Sequence, residues 1–454
     1  MIEQVLIKKN QYQNFRIYYR GGDNMEKIDF HKLLIGIDSK VSTLDHGKVR
    51  GINFDNAATT PPFVKVLEMI NKLGEYYASI GRGAGQKAEI TTRLYNESRD
   101  YILDYFNIQD KDKYTVIYVN NTTEGMNKLA KTLIDSSEDI VIATRMEHHS
   151  NDLPWRRVCK VDYIEVDENG RLLIDQLEEK LIAYKGRVKY VTVTGASNVT
   201  GYVNDIHEIA RIAHKYNSKI IVDGAQLVPH RIINMSGKSE EESIDFLVFS
   251  AHKFYAPFGS GAIVGLRDIF IEKKPCYEGG GTVNFVMDKD VEYLLPPEKD
   301  EAGTPNYFGV IAMVTALDEM KKIGIERIDK KEIELKEKLV KGLMSIPRIR
   351  IYGDNVDYSD TLGIVVFNIG NIYHQEVAEI LARSYGISVR QGWFCCHPYC
   401  RRLMNITEEE ASAFIKNPNA KMPGMIRVSF GMYNELEEVN YFLEAIESIE
   451  QKNR

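Results

Sequence analysis

Six short apolar runs punctuate the middle of the chain: TVIYV (115–119), DIVIAT (139–144), KYVTVT (189–194), KIIVD (219–223), DFLVFS (245–250) and GAIVGL (261–266). Each is rich in β-branched or aromatic residues and too short for a globular helix, so each predicts a buried strand. Between them apolar residues recur at helical spacing, as in Met126, Leu129, Ala130, Leu133 and Ile134, and again in Ile206, Ile209, Ala210 and Ala213. Strands alternating with helices predict an α/β fold, with a mainly parallel central sheet covered on both faces.

After Thr304-Pro305 the texture changes to a long stretch of helical period rich in Lys and Glu (311–345). Strands are expected around YGDN and LGIVVFNI, then helices near 374–385 and 434–450. Asn434, three residues before Glu437 and ahead of Leu436, Val439, Leu443 and Ile446, reads as the capping box of the last helix. The expected organisation is an N-terminal extension (1–59) packing on the small domain, a large domain (60–310) and a smaller α+β domain (311–454).

With 454 residues, 44% hydrophobic and 27% charged, the chain is globular and long enough for two or three cores. Its 58 basic and 65 acidic side chains give a net charge of −7, which offers no overall electrostatic footprint for nucleic acid or an anionic membrane. No apolar run reaches the ~20 residues of a bilayer span, and the start MIEQVLIKKNQYQNFR is too charged for a signal peptide. The expectation is a cytoplasmic protein with neither a nucleic-acid nor a membrane partner. Five cysteines, of which Cys395, Cys396 and Cys400 crowd one segment, do not form a disulfide framework.

In a parallel sheet, ligands bind beyond the carboxyl ends of the strands. Four of the predicted strands run directly into polar clusters: Asn120-Asn121-Thr122-Thr123-Glu124, Glu147-His148-His149-Ser150-Asn151, Asp223-Gly224-Ala225-Gln226 and Ser250-Ala251-His252-Lys253. Singly, each reads as a cap, a turn or a solvated loop. Together they supply hydroxyls and free N–H groups for a phosphate, an acid to keep a ring nitrogen protonated, and a lysine able to form a Schiff base. That set of parts describes a pyridoxal 5'-phosphate (PLP) site.

On these clusters, together with FDNAATT (54–60), ASNVTG (196–201), FSAHKFYAPFGSG (249–261), EGGGT (278–282), EAGTPN (301–306) and IRVSFGMYN (426–434), the chain resembles the class V aminotransferase group of fold-type-I PLP enzymes. Within it the likeness is to the cysteine desulfurase and selenocysteine lyase branch. The resemblance implies that Lys253 holds PLP and shuttles the substrate's Cα proton, that Asp223 pairs with the pyridine nitrogen and that His148 stacks on the ring. Gln226 and Asn198 would reach the phenolic oxygen, while Thr122, Thr123, Ser250 and His252 would grip the phosphate. Thr304, beside Gly303, would lie near the partner subunit's phosphate, implying a homodimer with shared active sites. Arg427 would bind the substrate carboxylate, with Arg390 as a second candidate.

In VRQGWFCCHP (389–398), Cys395 stands where the resemblance puts the branch's catalytic cysteine, and Cys396 is left as bystander, relay or substitute nucleophile. A zinc site built from Cys395, Cys396, His397 and Cys400 fits the spacing poorly, because adjacent cysteines are awkward tetrahedral ligands and no C-x-x-C pair exists, so no metal is expected. Two features depart from the branch. The stretch between Cys395 and Arg427 is long, and Gly81 and Gly85 stand where relatives carry His in H-R-G-x-H. The expected function is a PLP-dependent transferase converting cysteine to alanine, with a persulfide on Cys395 passed to an acceptor protein. The alternatives are a selenocysteine lyase, C–S lyase or aminotransferase of the same family, or a catalytically idle sulfur carrier.

Overall fold

A computed structural model describes residues 28–354, 357–417 and 420–453. The larger layer is a seven-stranded sheet of β1 (Tyr114–Val119), β2 (Ile140–Thr144), β3 (Lys160–Ile164), β4 (Val188–Thr194), β5 (Lys219–Asp223), β6 (Phe246–Ser250) and β7 (Gly261–Leu266). Its order is β1-β7-β6-β5-β4-β2-β3. All neighbours are parallel except β7, which runs antiparallel between β1 and β6. The six predicted strands are all present to within a residue or so. The seventh, β3, lies at the sheet edge, exposed at Lys160, half-buried over the next three positions and buried only at Ile164, and its sequence KVDYI lacks the continuous apolar run of its neighbours.

Close backbone approach explains one glycine. A Cβ on Gly261 would sit 2.3 Å from the carbonyl oxygen of Phe249 and 3.3 Å from Cα of Asn121. Only glycine lets the start of β7 slide between the two strand ends that lead into the Asn121 and Ser250 clusters.

The stretch expected as one long helix is two, α1 (Tyr307–Ile323) and α2 (Ile325–Ser345). Gly324, at φ 96°, breaks it. Met313, Leu317 and Met320 of α1 belong to the large core, whereas Leu335, Leu339 and Leu343 of α2 belong to the second core. The two cores therefore meet along α2, with Ile325 and Ile328 in the first and Leu335 onward in the second.

The second core lies against a four-stranded antiparallel sheet of β8 (Ile349–Ile351), β9 (Ile364–Ile369), β10 (Arg390–Gly392) and β11 (Met425–Ser429), in the order β8-β9-β11-β10. The strand expected around YGDN ends just before it, at Ile351. Residues 52–53 pair in parallel with 387–388, and Phe54 packs edge-on against Phe430 and Phe442 of this second core. Residues 1–27 of the predicted extension lie outside the described residues. The last helix, α3 (Leu436–Lys452), is capped one residue later than the sequence suggested. Glu435 and Glu438 form the box, while the Asn434 side chain accepts the Gly431 N–H and donates to Glu438.

Candidate active site

The carboxyl ends of β1, β2, β4, β5 and β6 open into a cavity of about 740 Å³ that the small domain closes with residues 390–397 and Arg427. Its lining includes Thr122, Thr123, His148, Asn198, Asp223, Gln226, Ser250, His252, Lys253, Arg390 and Cys395. Residues scattered over more than 300 positions of sequence thus meet in one place.

One end of the cavity is built from hydroxyls. Residues Thr122–Leu133 form a helix capped by the Asn121 side chain, which accepts the Glu124 N–H. Ser250 Oγ accepts the Thr122 N–H at 2.7 Å and contacts Thr122 Oγ1 at 2.7 Å. Thr123 Oγ1 lies 2.6 Å from Ser150 Oγ, which in turn lies 2.9 Å from His148 Nδ1. The Ser150 N–H also donates to that Nδ1, so the ring accepts there and carries its proton on Nε2. Burial, reinforced by Lys253, pushes the His148 pKa down to about 3, and the same two causes bring His252 to about 4. Both rings are neutral at ordinary pH.

At the floor, Asp223 ends β5 and is buried, one carboxylate oxygen accepting the Ala225 N–H at 2.9 Å. Burial raises its pKa and the Lys253 ammonium lowers it, burial being the larger effect. Lys253 ends a single 3-10 turn after β6. Desolvation pushes its amine down to about 8, partly countered by Asp223. Gln226 donates from Nε2 to the Ala57 carbonyl at 2.7 Å, while its Oε1 is buried with no partner.

The opposite wall is cationic. Arg390 and Arg427 are direct cross-strand partners on β10 and β11, a like-charge pairing that needs compensation. Asp55 supplies it, with Oδ1 3.0 Å from Arg427 Nη2 and Oδ2 3.5 Å from Arg390 Nε. Arg427 is only 3% exposed. Its Nη1 donates to the Asn198 carbonyl at 2.8 Å, and its Nε has no partner. The sequence reading passed over Asp55, although it stands in the FDNAATT motif. Its signal was an acid beside an apolar Phe, which by itself means little.

Cys395 is exposed and lines the cavity, whereas Cys396 and Cys400 are buried. Phe394 and Cys395 both adopt positive φ, 50° and 54°, a costly pair for side chains other than glycine. Hydrogen bonds hold the turn: the His149 N–H donates to the Cys395 carbonyl at 2.8 Å and Asn198 Nδ2 to the Phe394 carbonyl at 2.8 Å. One amide N–H of Asn198 is thereby committed to the turn. Cys396 donates its S–H to the carbonyls of Met146 and Glu147, and burial lifts its pKa well above the ordinary thiol value. Cys396 is thus turned away from the cavity and disfavoured as a thiolate.

Among its described residues, the long stretch after His397 does not line the cavity. It forms helices His397–Leu403 and Glu408–Lys416, the second with a Thr407–Glu410 capping box. Tyr399 donates to the Gly170 carbonyl and Arg402 pairs with Glu165 at 2.6 Å, which staples the segment to the large domain and leaves Cys395 facing inward. Thr304 is exposed and is not among the residues lining the cavity. Its neighbours Gly303 and Pro305 border a separate recess of about 360 Å³ with Gly81 and Arg82, and neither Gly81 nor Gly85 is among the residues lining this chain's own cavity.

Residues 52–442 match the family model described as "Aminotransferase class-V". A "Probable cysteine desulfurase" of Pyrococcus abyssi is 32% identical over 411 residues, 88% of this chain and 94% of that protein. A cysteine desulfurase of Enterobacter sp. strain 638 is 32% identical, covering 82% of this chain and 86% of the relative. The apo structure of a cysteine desulfurase from Thermococcus onnurineus superposes with a TM-score of 0.78 at 30% identity, over 88% of this chain and 95% of that one. With its seven-stranded sheet, its ordered motifs and a match spanning nearly the whole length, the chain belongs to the aminotransferase class-V family.

Proposed function

We propose that the protein is a PLP-dependent cysteine desulfurase. The observation that carries the reading is the sharing of one cavity by an exposed thiol, Cys395, with Lys253, Asp223 and Arg427. The cysteine desulfurases among its relatives support it.

The polar groups lining the cavity, among them the unpartnered Gln226 Oε1, suit the cofactor. The hydroxyls of Thr122, Thr123 and Ser250 at a helix N-terminus suit a phosphate, with His252 beside them, and the Asp223 carboxylate suits a protonated ring nitrogen. His148 would stack on the ring and Gln226 and Asn198 flank it. Bound there, PLP supplies an electron sink for negative charge at the substrate's Cα.

The chain's own residues do the rest. Arg427 binds the amino acid's carboxylate through its remaining donors, in the planar geometry that suits the group, with Arg390 adding positive charge. Lys253 Nζ, its pKa near 8, takes the Cα proton as a neutral amine and returns a proton to the product carbon. The Cys395 thiolate attacks the substrate sulfur: an S–S bond forms, the C–S bond breaks with its electron pair passing to Cβ, Cβ takes a proton and Cα regains its own, and alanine departs with the persulfide left on Cys395 for an acceptor. The exposure of Cys395 at the cavity mouth suits transfer to a protein acceptor. A homodimer, with Thr304 completing the partner's phosphate site, and a cytoplasmic location complete the reading. Among the described residues, no helix is long and apolar enough to cross a membrane.

The test is a panel of amino acids assayed in parallel for sulfide, alanine and keto acids. Cysteine should give alanine and sulfur in equal amounts. Keto acid without alanine would make the protein an aminotransferase or C–S lyase instead.

A further inference from the structure

Beneath the cavity, a chain of buried hydrogen bonds takes no part in the reaction described above. Trp155 is fully buried and its Nε1–H donates to Asn151 Oδ1 at 3.0 Å. The Thr192 hydroxyl donates to the same oxygen at 2.7 Å. An indole N–H can only donate, so the orientation of the Asn151 amide is fixed and its Nδ2 must face Glu147. It does, meeting Oε2 at 2.6 Å. Glu147 Oε1 accepts the Thr194 N–H at 2.9 Å and contacts the Thr144 hydroxyl at 2.6 Å. The Glu147 side chain is buried and ties the end of β2 to the end of β4, where Thr194 is the register partner of Asp223.

The backbone around Glu147 serves both halves of the chemistry. His148 follows it directly. The carbonyls of Met146 and Glu147 accept the Cys396 S–H at 3.2 and 3.0 Å, and the His149 N–H holds the Cys395 carbonyl. This segment is thus the common support of the His148 ring and of the positive-φ turn that aims the Cys395 thiol. We propose that Glu147, oriented through Asn151 and Trp155, is a positioning residue that sets His148 and Cys395 relative to Lys253. The inference rests on the desulfurase reading for its kinetic consequence, but not for its geometry.

The donor and acceptor pattern makes the proposal testable by exchange. Glu147→Gln must present an NH2 either to the Asn151 Nδ2 or to the Thr194 N–H, a donor-to-donor clash in each case. Asn151→Asp sets a second acid against Glu147, whose own pKa burial already lifts to about 8, and removes the amide donor that Glu147 Oε2 accepts. The double variant Glu147→Gln/Asn151→Asp keeps shape and the single acid of the pair, moved from position 147 to position 151, and reverses only the one bond between the two side chains, with Gln Nε2 donating to Asp while Trp155 and Thr192 still donate to position 151.

The readouts are the Kd of added PLP for the cofactor-free protein and, separately, kcat and KM for cysteine. Each single variant should bind PLP at least ~10-fold more weakly and lose ~10-fold or more in kcat with KM less affected. The double variant should return to within ~3-fold of wild type in both. If the single variants do not fold, the double variant must still fold and bind PLP. A double variant no better than the worse single, or single variants within twofold of wild type, overturns the proposal. A wild-type protein that binds PLP yet makes no alanine from cysteine overturns only the functional reading, because the PLP affinities of the variants still decide the positioning role.

Discussion

Arg427 and Asp55 form an ion pair at 3.0 Å in which the guanidinium is almost wholly shut off from solvent. Burial pushes the Arg427 pKa down and Asp55 pushes it back up. Removing either partner would strand the other. Because one donor goes to Asp55, another to the Asn198 carbonyl and Nε to nothing, the guanidinium is aimed before any ligand arrives.

Arg427→Lys is therefore expected to fail despite keeping the charge. An ammonium cannot serve Asp55, the Asn198 carbonyl and an incoming carboxylate with one planar group. Losing a charge-assisted hydrogen bond, worth ~1.5–3 kcal/mol, should raise KM for cysteine by roughly 10- to 100-fold. PLP retention should be unchanged. Steady-state kinetics with an absorbance check of bound cofactor measures both, and an unchanged KM would remove Arg427 from the carboxylate site.

The Lys253 amine gives a pH dependence with a definite sign. Desolvation favours the neutral form, moving the midpoint from 10.5 to about 8, while Asp223 favours the ammonium. In the PLP-free protein, acetylation of Lys253 read by peptide mass spectrometry should therefore rise through about pH 8, well before exposed lysines. Asp223→Asn should move that midpoint lower still, since an attractive charge is lost. A midpoint near 10.5, or an upward move in Asp223→Asn, would contradict the geometry.

The three clustered thiols should differ sharply in reactivity. Cys395 is exposed, whereas Cys396 and Cys400 are buried with their S–H groups on backbone carbonyls and their pKa values raised by burial. Thiolate fraction and access both govern alkylation. Limiting iodoacetamide on the native protein should label Cys395 first and leave Cys396 and Cys400 untouched until unfolding. Early labelling of Cys396 would revive it as a relay.

Much of this architecture was legible in the sequence because it rests on local signals. The continuous apolar runs of β1, β2, β4, β5, β6 and β7 could only be buried strands, and the polar residues after them had to face the ligand edge of a parallel sheet. What stayed hidden depends on contacts between distant segments. β3 lies at an edge and lacks an apolar run. The break at Gly324 and the capping of α3 by Glu435 rather than Asn434 are differences of a residue that periodicity cannot resolve. Asp55 became a site residue only when the chain carried it 372 positions away to Arg427. Cys396 could be read only as bystander, relay or substitute for Cys395, since sequence does not show which of two adjacent thiols turns inward.

The central claim is that the Cys395 thiol takes sulfur from the substrate. Its most direct test is mass spectrometry of the Cys395 peptide after one turnover of the PLP-loaded protein with cysteine, alongside alanine release from wild type and Cys395→Ala. Wild type should gain one sulfur on Cys395 for each alanine released, and Cys395→Ala should still bind cysteine but release neither product. Alanine or pyruvate at the wild-type rate from Cys395→Ala, with no added sulfur on the wild-type peptide, would contradict the account and leave the thiol a bystander.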